Sequence, residues 1–513
     1  AAAQRADAVV FATFLMPISG QGHLTVPAEA TALAARLKTA SRRMVVAAFG
    51  DPYGPASLPG SGTYLLAWQP RGEAAQRAAA RAIAGRIPIR GRMPITLPAD
   101  KATAIDRPAL DARLTFAAPE DVGMDPFIFD RVDSIIQAGI VRGASPGAAV
   151  AVGRYGRLVM LRAYGDLDRR RGFGAVTDSS VYDMASVTKV VATTTALMMM
   201  VDQGLLSLDD PVKQHVPEWR GSPAKDAVTL RNLLLHTSGL AAYGPLWREL
   251  SGRDQYRRRI ASMSLDYEPG TRTVYSDFGI ILLGLIIEQV SGSTLDALLH
   301  QRVFEPLDMR DTGFNPLQWP YGRMDLEGNA NGPRAMRDPL IARIAPTEID
   351  TVFRHRHIRG QVHDENAFAL GGVAAHAGLF SSARDMAVFA QMMLNGGFYD
   401  GRRFIDPATI AEFTRRQSDQ SSRALGWDTP VDGGSAGSYF SASSYGHTGF
   451  TGPSIWIDPE RNVFVVLMLN RVNPTRDNQR HLALRRDLAD AVQTAITDLP
   501  AVRRSDATRN RPD

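Results

Sequence analysis

The stretch Tyr182-Asp183-Met184-Ala185-Ser186-Val187-Thr188-Lys189 leads without a break into an apolar, helix-like run from Val190 to Gln203 that closes at Gly204. A hydroxyl and an amine three positions apart at a helix start share one face, within hydrogen-bond reach of each other. A serine hydroxyl is a poor nucleophile until a base takes its proton, and a lysine supplies that base when desolvation or nearby positive charge lowers its pKa. The helix start adds backbone N–H groups for a developing oxyanion. The alternative reading has Ser186 as a helix cap and Lys189 as a solvated cation. Weighing against it, the chain has only five lysines among its 58 basic residues, so lysine stands out where arginine is the default. Lysine titrates in proteins, and arginine in practice does not.

Outward from this stretch, short strand-like runs flank a long helical middle. A helix from Pro126 to Ala138 precedes the strand runs Ala148 to Val152 and Arg157 to Ala163, joined by the hairpin turn Gly153-Arg154-Tyr155-Gly156. Near the far end, Pro453 to Ile457 and Asn462 to Asn470 form a second strand pair, followed by a helix from His481 to Thr497. Strands at both ends with helices between them predict one antiparallel sheet completed from both ends, plus a helical insertion. Residues 315 to 365 and 416 to 446 read as long loops. Residues 8 to 16, 28 to 37, 43 to 49, 62 to 68 and 73 to 84 alternate strand and helix patterns, predicting a separate small α/β domain with a mostly parallel sheet. A proline-bearing linker over 85 to 120 places the boundary near 112, giving domains 1–112 and 113–500 and a polar tail 501–513.

Composition bounds the function classes. The chain has 513 residues, 44% of them apolar and 22% charged, which fits two or more globular cores and excludes a mainly disordered or fibrous chain. The net charge of +5 is a small remainder of 58 basic and 53 acidic residues with no basic run, so no nucleic-acid partner is expected. Cysteine is absent, which excludes disulfides, thiolate metal sites and a cysteine nucleophile. No apolar stretch reaches the ~18 residues of a membrane span. Val9 to Met16 resembles a short signal-peptide apolar region, and the missing initiator Met points to a processing boundary before Ala1.

Ser186-Val187-Thr188-Lys189 resembles the Ser-x-x-Lys motif of serine β-lactamases, penicillin-binding proteins and related class C-like and family VIII esterase-like hydrolases. Two further motifs follow in the order that superfamily uses: Tyr275-Ser276-Asp277 as a Tyr-x-Asn type element, and His447-Thr448-Gly449 as a Lys-Thr-Gly type strand. Leu233-Leu234-Leu235-His236-Thr237-Ser238-Gly239-Leu240 and Gly378 to Met386 are similar to supporting segments of the same families, and the resemblance covers about residues 115 to 500. It implies a β-lactamase-like fold, an antiparallel sheet flanked by helices plus a helical subdomain. It also implies a mechanism: Ser186 attacks a carbonyl, Lys189 and Tyr275 share proton transfer, and the Ser186 and Phe450 N–H groups hold the oxyanion of an acyl-enzyme pathway. Asp277, His447, Thr448 and Gly449 become candidate substrate-binding residues, with helix capping as the alternative for Asp277.

Two departures from the superfamily pattern matter. Histidine at 447 in place of lysine offers a cation only partly at neutral pH, so anion recognition should weaken. Asp277 in place of asparagine should favour the ammonium form of Lys189 and oppose its role as base. The resemblance implies a carboxylesterase acting on small esters, because the His-Thr-Gly variant is found among esterases and D-amino-acid peptidases of that superfamily. A D-Ala-D-Ala carboxypeptidase, penicillin binder or weak β-lactamase is the second reading, with a D-amino-acid peptide as substrate, and a catalytically silent scaffold is the third. No cofactor or metal is needed; His355, His357, His363 and Glu365 lack a zinc-site spacing, and a hydrogen-bond network over 361 to 376 is expected instead. Gly433-Gly434-Ser435-Ala436-Gly437 matches a nucleophile elbow in letters but lacks the flanking strand and helix. The amino-terminal segments Ala47 to Tyr53, Thr63 to Trp68 and Ile87 to Ile95 look like the carboxy-terminal domain of family 3 β-N-acetylhexosaminidases, without that family's catalytic residues. That association implies cell-wall chemistry in a periplasmic or secreted setting.

Overall fold

The computed structural model describes residues 9–15, 26–40, 44–50, 58, 63–67, 73–84, 112–170, 172–319, 340–418 and 421–504, so most of the linker 85–120, the Ile87 to Ile95 segment and the end of the tail lie outside the described residues. The chain divides into two compact units, 1–112 and 113–513.

In the first unit, β1 (Val9–Leu15), β2 (Met44–Gly50) and β3 (Thr63–Ala67) form a parallel sheet in the order β1-β2-β3, joined by α1 (Ala28–Ala40) and followed by α2 (Glu73–Ile83). Parallel neighbours need crossover connections, and α1 supplies the one between β1 and β2. Val46 and Ala34 bury into one small core, while Ala47, Phe49 and Ala79 bury into another.

The second unit opens with β4 (Thr115–Phe116), α3 (Ile128–Val141), β5 (Gly147–Arg154), β6 (Arg157–Gly165) and β7 (Tyr182–Asp183). A tight 3-10 turn, Ala185–Val187, a π-helical segment, Lys189–Thr194, and α4 (Thr195–Asp202) follow directly. Then come α5 (Asp277–Ser291), β8 (Gly313–Phe314), the short ladder of β9 (Ile349–Asp350) with β10 (Arg356–His357), α6 (Glu365–Ala369), β11 (Leu379–Ser381) and α7 (Ala383–Leu394). The ladder of β12 (Phe398–Tyr399) with β13 (Arg402–Arg403) precedes β14 (Tyr445–Thr448), β15 (Ser454–Asp458), β16 (Val463–Leu469) and α8 (His481–Thr494).

The main sheet runs β14-β15-β16-β5-β6-β4, so both ends of the unit complete it. It is antiparallel except at the edge, where β4 lies parallel to β6, so the sheet is mixed and the antiparallel expectation needs that correction. Val463 to Leu469 is buried at every position, as a near-continuous apolar strand covered on both faces must be. One parity, Phe464, Val466 and Met468 with Ala149 and Ala151, joins the main core with α7. The opposite parity is buried too, and α3 and α8 pack against β6, β16 and each other. Gly139 lets α3 and α8 approach: a Cβ there would meet Leu484 Cδ1 at 1.9 Å. The β5–β6 hairpin turns through Tyr155 and Gly156 with φ of 50° and 76°, the left-handed pair that a two-residue turn matched to strand twist requires.

The apolar helix α5 is buried along most of its length, begins at the Ser276 cap and stops at Gly292, whose φ is 67°. No single helix among the described residues is long and apolar enough to cross a membrane.

Candidate active site

The turn that presents Ser186 is set by its neighbours. Ala185 has a φ of 43°, a left-handed conformation that costs a non-glycine residue about 1–2 kcal/mol. Asp183 holds it there: one carboxylate oxygen accepts the Ala185 N–H at 2.8 Å and the other the His363 N–H at 2.6 Å. Burial pushes the Asp183 carboxyl up, against these amides. The expected helix from Val190 begins instead as the π-helical segment at Lys189, a widened turn of the kind that recurs at functional sites. Its register puts Lys189 Nζ 2.8 Å from Ser186 Oγ, with the ammonium donating.

Lys189 is buried, and its other contacts are equally close: it donates to the His376 carbonyl at 2.9 Å and pairs with Asp277 at 2.8 Å. Burial alone lowers its pKa, but the Asp277 carboxylate and the neighbouring Tyr275 outweigh burial and push it up to about 12. Asp277 thus acts in the direction that its place in the asparagine position implied, favouring the ammonium form of Lys189, so the lowered pKa that a lysine base needs is not found at rest. Asp277 does not cap α5 either. Ser276 is the cap, accepting the Gly279 N–H at 3.4 Å, and Asp277 opens the first turn with its carboxylate turned to Lys189.

Tyr275 lies between cations and histidines. Lys189 Nζ is 5.0 Å and Arg423 Cζ 4.9 Å from its ring centroid, while the tilted ring of His236 lies at 4.5 Å and that of His447 at 6.2 Å. His236 Nδ1 accepts the Ser276 N–H at 3.0 Å, which leaves the proton on Nε2 of a neutral ring. Burial, then Arg423 and Lys189, drive its pKa well below the ordinary value. The same causes act on His447, which is 3% exposed. His447 Nδ1 lies 2.9 Å from the Thr448 carbonyl and donates to it, so the neutral ring turns an unpartnered Nε2 lone pair inward. Burial thus goes further than the sequence reading: His447 supplies no cation at neutral pH. Arg423, which the sequence reading missed, is the cation here. Its Nη1 is buried without a hydrogen bond, and Asp428 is 3.7 Å away.

The opposite wall is the loop after β14. A Cβ on Gly449 would meet the Met184 carbonyl at 2.4 Å, so the absent side chain lets this loop close on the turn that carries Ser186. Thr448 pairs with Ser454 at the strand end, and Thr451 Oγ1 donates to the Asp183 carbonyl at 2.7 Å. Phe450, at 49% exposure, is the open residue of the loop.

Behind Lys189, the 361–376 segment forms a hydrogen-bond network. Asp364 caps α6 through the Ala367 N–H and meets His376 Nε2 at 2.9 Å; burial raises its carboxyl, but His376 and Lys189 hold it below the usual range. His363 contacts Glu348 at 2.8 Å, and Arg476 bridges Glu348 and Glu365 at 2.6 and 2.8 Å. Among the described residues no group of three His, Asp or Glu could hold a metal ion. Ser435 lies in a run of turns with neither a strand before it nor a helix after it.

Residues 132–490 match the family described as Beta-lactamase. A Salmonella paratyphi B protein named "Putative D-alanyl-D-alanine carboxypeptidase" is 33% identical over 394 residues, spanning 70% of this chain and 86% of that protein. A penicillin-binding protein homolog from Caulobacter crescentus has a similar structure, with a TM-score of 0.56, 22% identity and coverage of 73% of this chain and 99% of that one. EstCE1, described as a hydrolase with promiscuous acyltransferase activity, is similar with a TM-score of 0.53, 23% identity and coverage of 71% and 98%. At these identities the two structures speak to the fold alone.

Proposed function

The chain belongs to the beta-lactamase family of serine hydrolases, and on that premise we propose that it is a carboxylesterase that forms an acyl-enzyme on Ser186 from small esters. The observation that carries this reading is the Ser186 Oγ to Lys189 Nζ contact at 2.8 Å, in a site where burial keeps His447 neutral. A neutral imidazole offers no charge to a substrate carboxylate, and an uncharged ester needs none.

Ser186 Oγ bonds to the ester carbonyl carbon while its proton passes to the Lys189–Tyr275 pair. Because the resting ammonium has no lone pair, the Lys189–Tyr275 pair must first release a proton before it can take one from Ser186. The Ser186 and Phe450 N–H groups take the negative oxygen of the tetrahedral intermediate. The intermediate collapses as the carbon–oxygen bond to the leaving group breaks, and the pair returns the proton to the departing alkoxide. Water then repeats the sequence on the acyl-enzyme, releasing the acid and restoring Ser186.

A D-Ala-D-Ala carboxypeptidase is the second reading. Arg423, with Nη1 unbonded beside Tyr275, favours it, because a guanidinium suits the terminal carboxylate of a peptide. The name carried by the Salmonella relative points the same way. Initial rates on a short-chain nitrophenyl ester, a chromogenic β-lactam and a D-Ala-D-Ala peptide, each with wild type and Ser186→Ala, test both readings. Ester turnover lost in the variant supports the esterase; peptide turnover well above ester turnover moves the assignment to the peptidase. No turnover of any of them, and no acyl adduct at Ser186, overturns both.

A further inference from the structure

Arg485, on α8, is 6% exposed, and its hydrogen bonds go to backbone carbonyls: Nη2 donates to Gly449 at 2.8 Å, Gly452 at 2.6 Å and Pro453 at 3.1 Å, and Nε to Gly452 at 3.1 Å. Among the described residues no carboxylate is its partner. Burial, and then the charge of Arg471, pull its pKa down. A buried cation without a counter-charge is expensive, and an apolar residue would cost α8 less. Stability alone therefore does not account for it.

The carbonyls it grips do. Gly449 O and the Phe450 N–H belong to one peptide group, and that bond is trans. In a trans peptide the C=O and N–H point in opposite directions. Holding Gly449 O against the guanidinium thus aims the Phe450 N–H away from α8. Pulling charge onto that oxygen also strengthens the N–H as a donor, as in any polarised hydrogen-bond chain. This N–H is bonded to no acceptor among the described residues. Arg471 fixes the next peptide: its Nε donates to Phe450 O at 2.7 Å and its guanidinium carbon lies 4.0 Å over the Phe450 ring, which His363 stacks from 5.7 Å.

We infer that Arg485 is the positioning residue of the oxyanion site, orienting and polarising the Gly449–Phe450 peptide, with Arg471 holding the following one. This rests on the proposed acyl-enzyme function.

The test is difference infrared spectroscopy of the acyl-enzyme formed from nitrophenyl acetate with and without a 13C-labelled acyl carbonyl, on wild type, Arg485→Gln and Arg485→Lys. The acyl carbonyl frequency falls as the hydrogen bonds it receives strengthen. The wild-type band should be low, Arg485→Gln should raise it, and Arg485→Lys should lie between. In parallel, kcat should fall by ~10- to ~10²-fold in Arg485→Gln, no more than deletion of a whole oxyanion donor, with KM nearly unchanged. If Arg485→Gln does not fold, Arg485→Lys, which keeps the charge but not the fork, decides by the same band. A lower kcat with the carbonyl band unmoved overturns the inference, because it marks a merely structural role. Absence of an acyl band in wild type overturns the proposed function itself, and the inference with it.

Discussion

The two walls of the cleft each bury a cation, and the fold treats the two in opposite ways. Lys189, on the Ser186 wall, is paired with the Asp277 carboxylate at 2.8 Å, and its pKa is pushed up. Arg485, behind the Gly449–Phe450 peptide, meets only carbonyl dipoles among the described residues, and its pKa is pulled down. The paired charge is neutralised locally and can exchange a proton with its partners. The unpaired charge never gives up its proton, so its field acts on whatever peptide it touches. On the proposed acyl-enzyme reading, proton transfer belongs to the Lys189 side and transition-state stabilisation to the Arg485 side.

The largest effect is expected from breaking the nucleophile wall. Lys189→Met removes the donor to Ser186 and strands Asp277, so nitrophenyl ester kcat should fall by ~10³-fold or more; combining it with Ser186→Ala should cost little further, because the two act as a unit. An additive double variant would show that they do not.

Gly449→Ala forces the walls apart, since its Cβ would collide with the Met184 carbonyl 2.4 Å away. A kcat loss of ~10²-fold is expected, with overpacking costing about 1–3 kcal/mol in a denaturant melt. Unchanged kinetics would mean that the loop closes on the nucleophile by another route.

Asp277→Asn sharpens the comparison by making Lys189 resemble Arg485, a buried cation without a carboxylate. Burial then dominates, the Lys189 pKa falls, and the limb of the kcat/KM profile that titrates it should move to lower pH by about one unit or more. The stability consequence has a definite sign. The raised pKa of Lys189 contributes fully below its ordinary 10.5 and is lost as pH climbs through about 12, so wild type should surrender about 2 kcal/mol across that window and the variant much less. Identical alkaline melts would remove Asp277 from the account.

The smallest effect concerns the network behind the loop. Burial raises the Glu348 carboxyl, but His363 and Arg476 outweigh it and hold it down at about 2, so its contribution is present above about pH 4.5 and fades as pH falls toward 2. Glu348→Gln should lower stability by ~1 kcal/mol at neutral pH and flatten acid unfolding in that window, as read by circular dichroism. An acid transition of unchanged slope would contradict it.

Much of the site was legible in the sequence where the physics is local. Three-residue spacing at a helix start was enough to bring Ser186 and Lys189 together, and the β5–β6 hairpin followed from apolar alternation around a Tyr-Gly turn. Tyr275, His447 and Phe450 were legible only through the order of motifs, because nothing in a single tyrosine or histidine marks it as part of a site. Arg423, Asp364, His376 and Arg485 were not singled out individually. Each is an ordinary letter in its own segment and gains a role from a partner distant in the chain. Arginine, the default cation here, hid Arg423 and Arg485 especially well.

By itself the sequence determined which residues could react and which runs would become strands, because backbone periodicity and short-range spacing are properties of neighbours. Tertiary structure alone decided how close Asp277 comes to Lys189, that burial makes His447 and His236 neutral, and that Arg485 faces carbonyls instead of a carboxylate among the described residues. Those outcomes depend on burial and on charges brought in from other segments, and neither exists until the chain has folded.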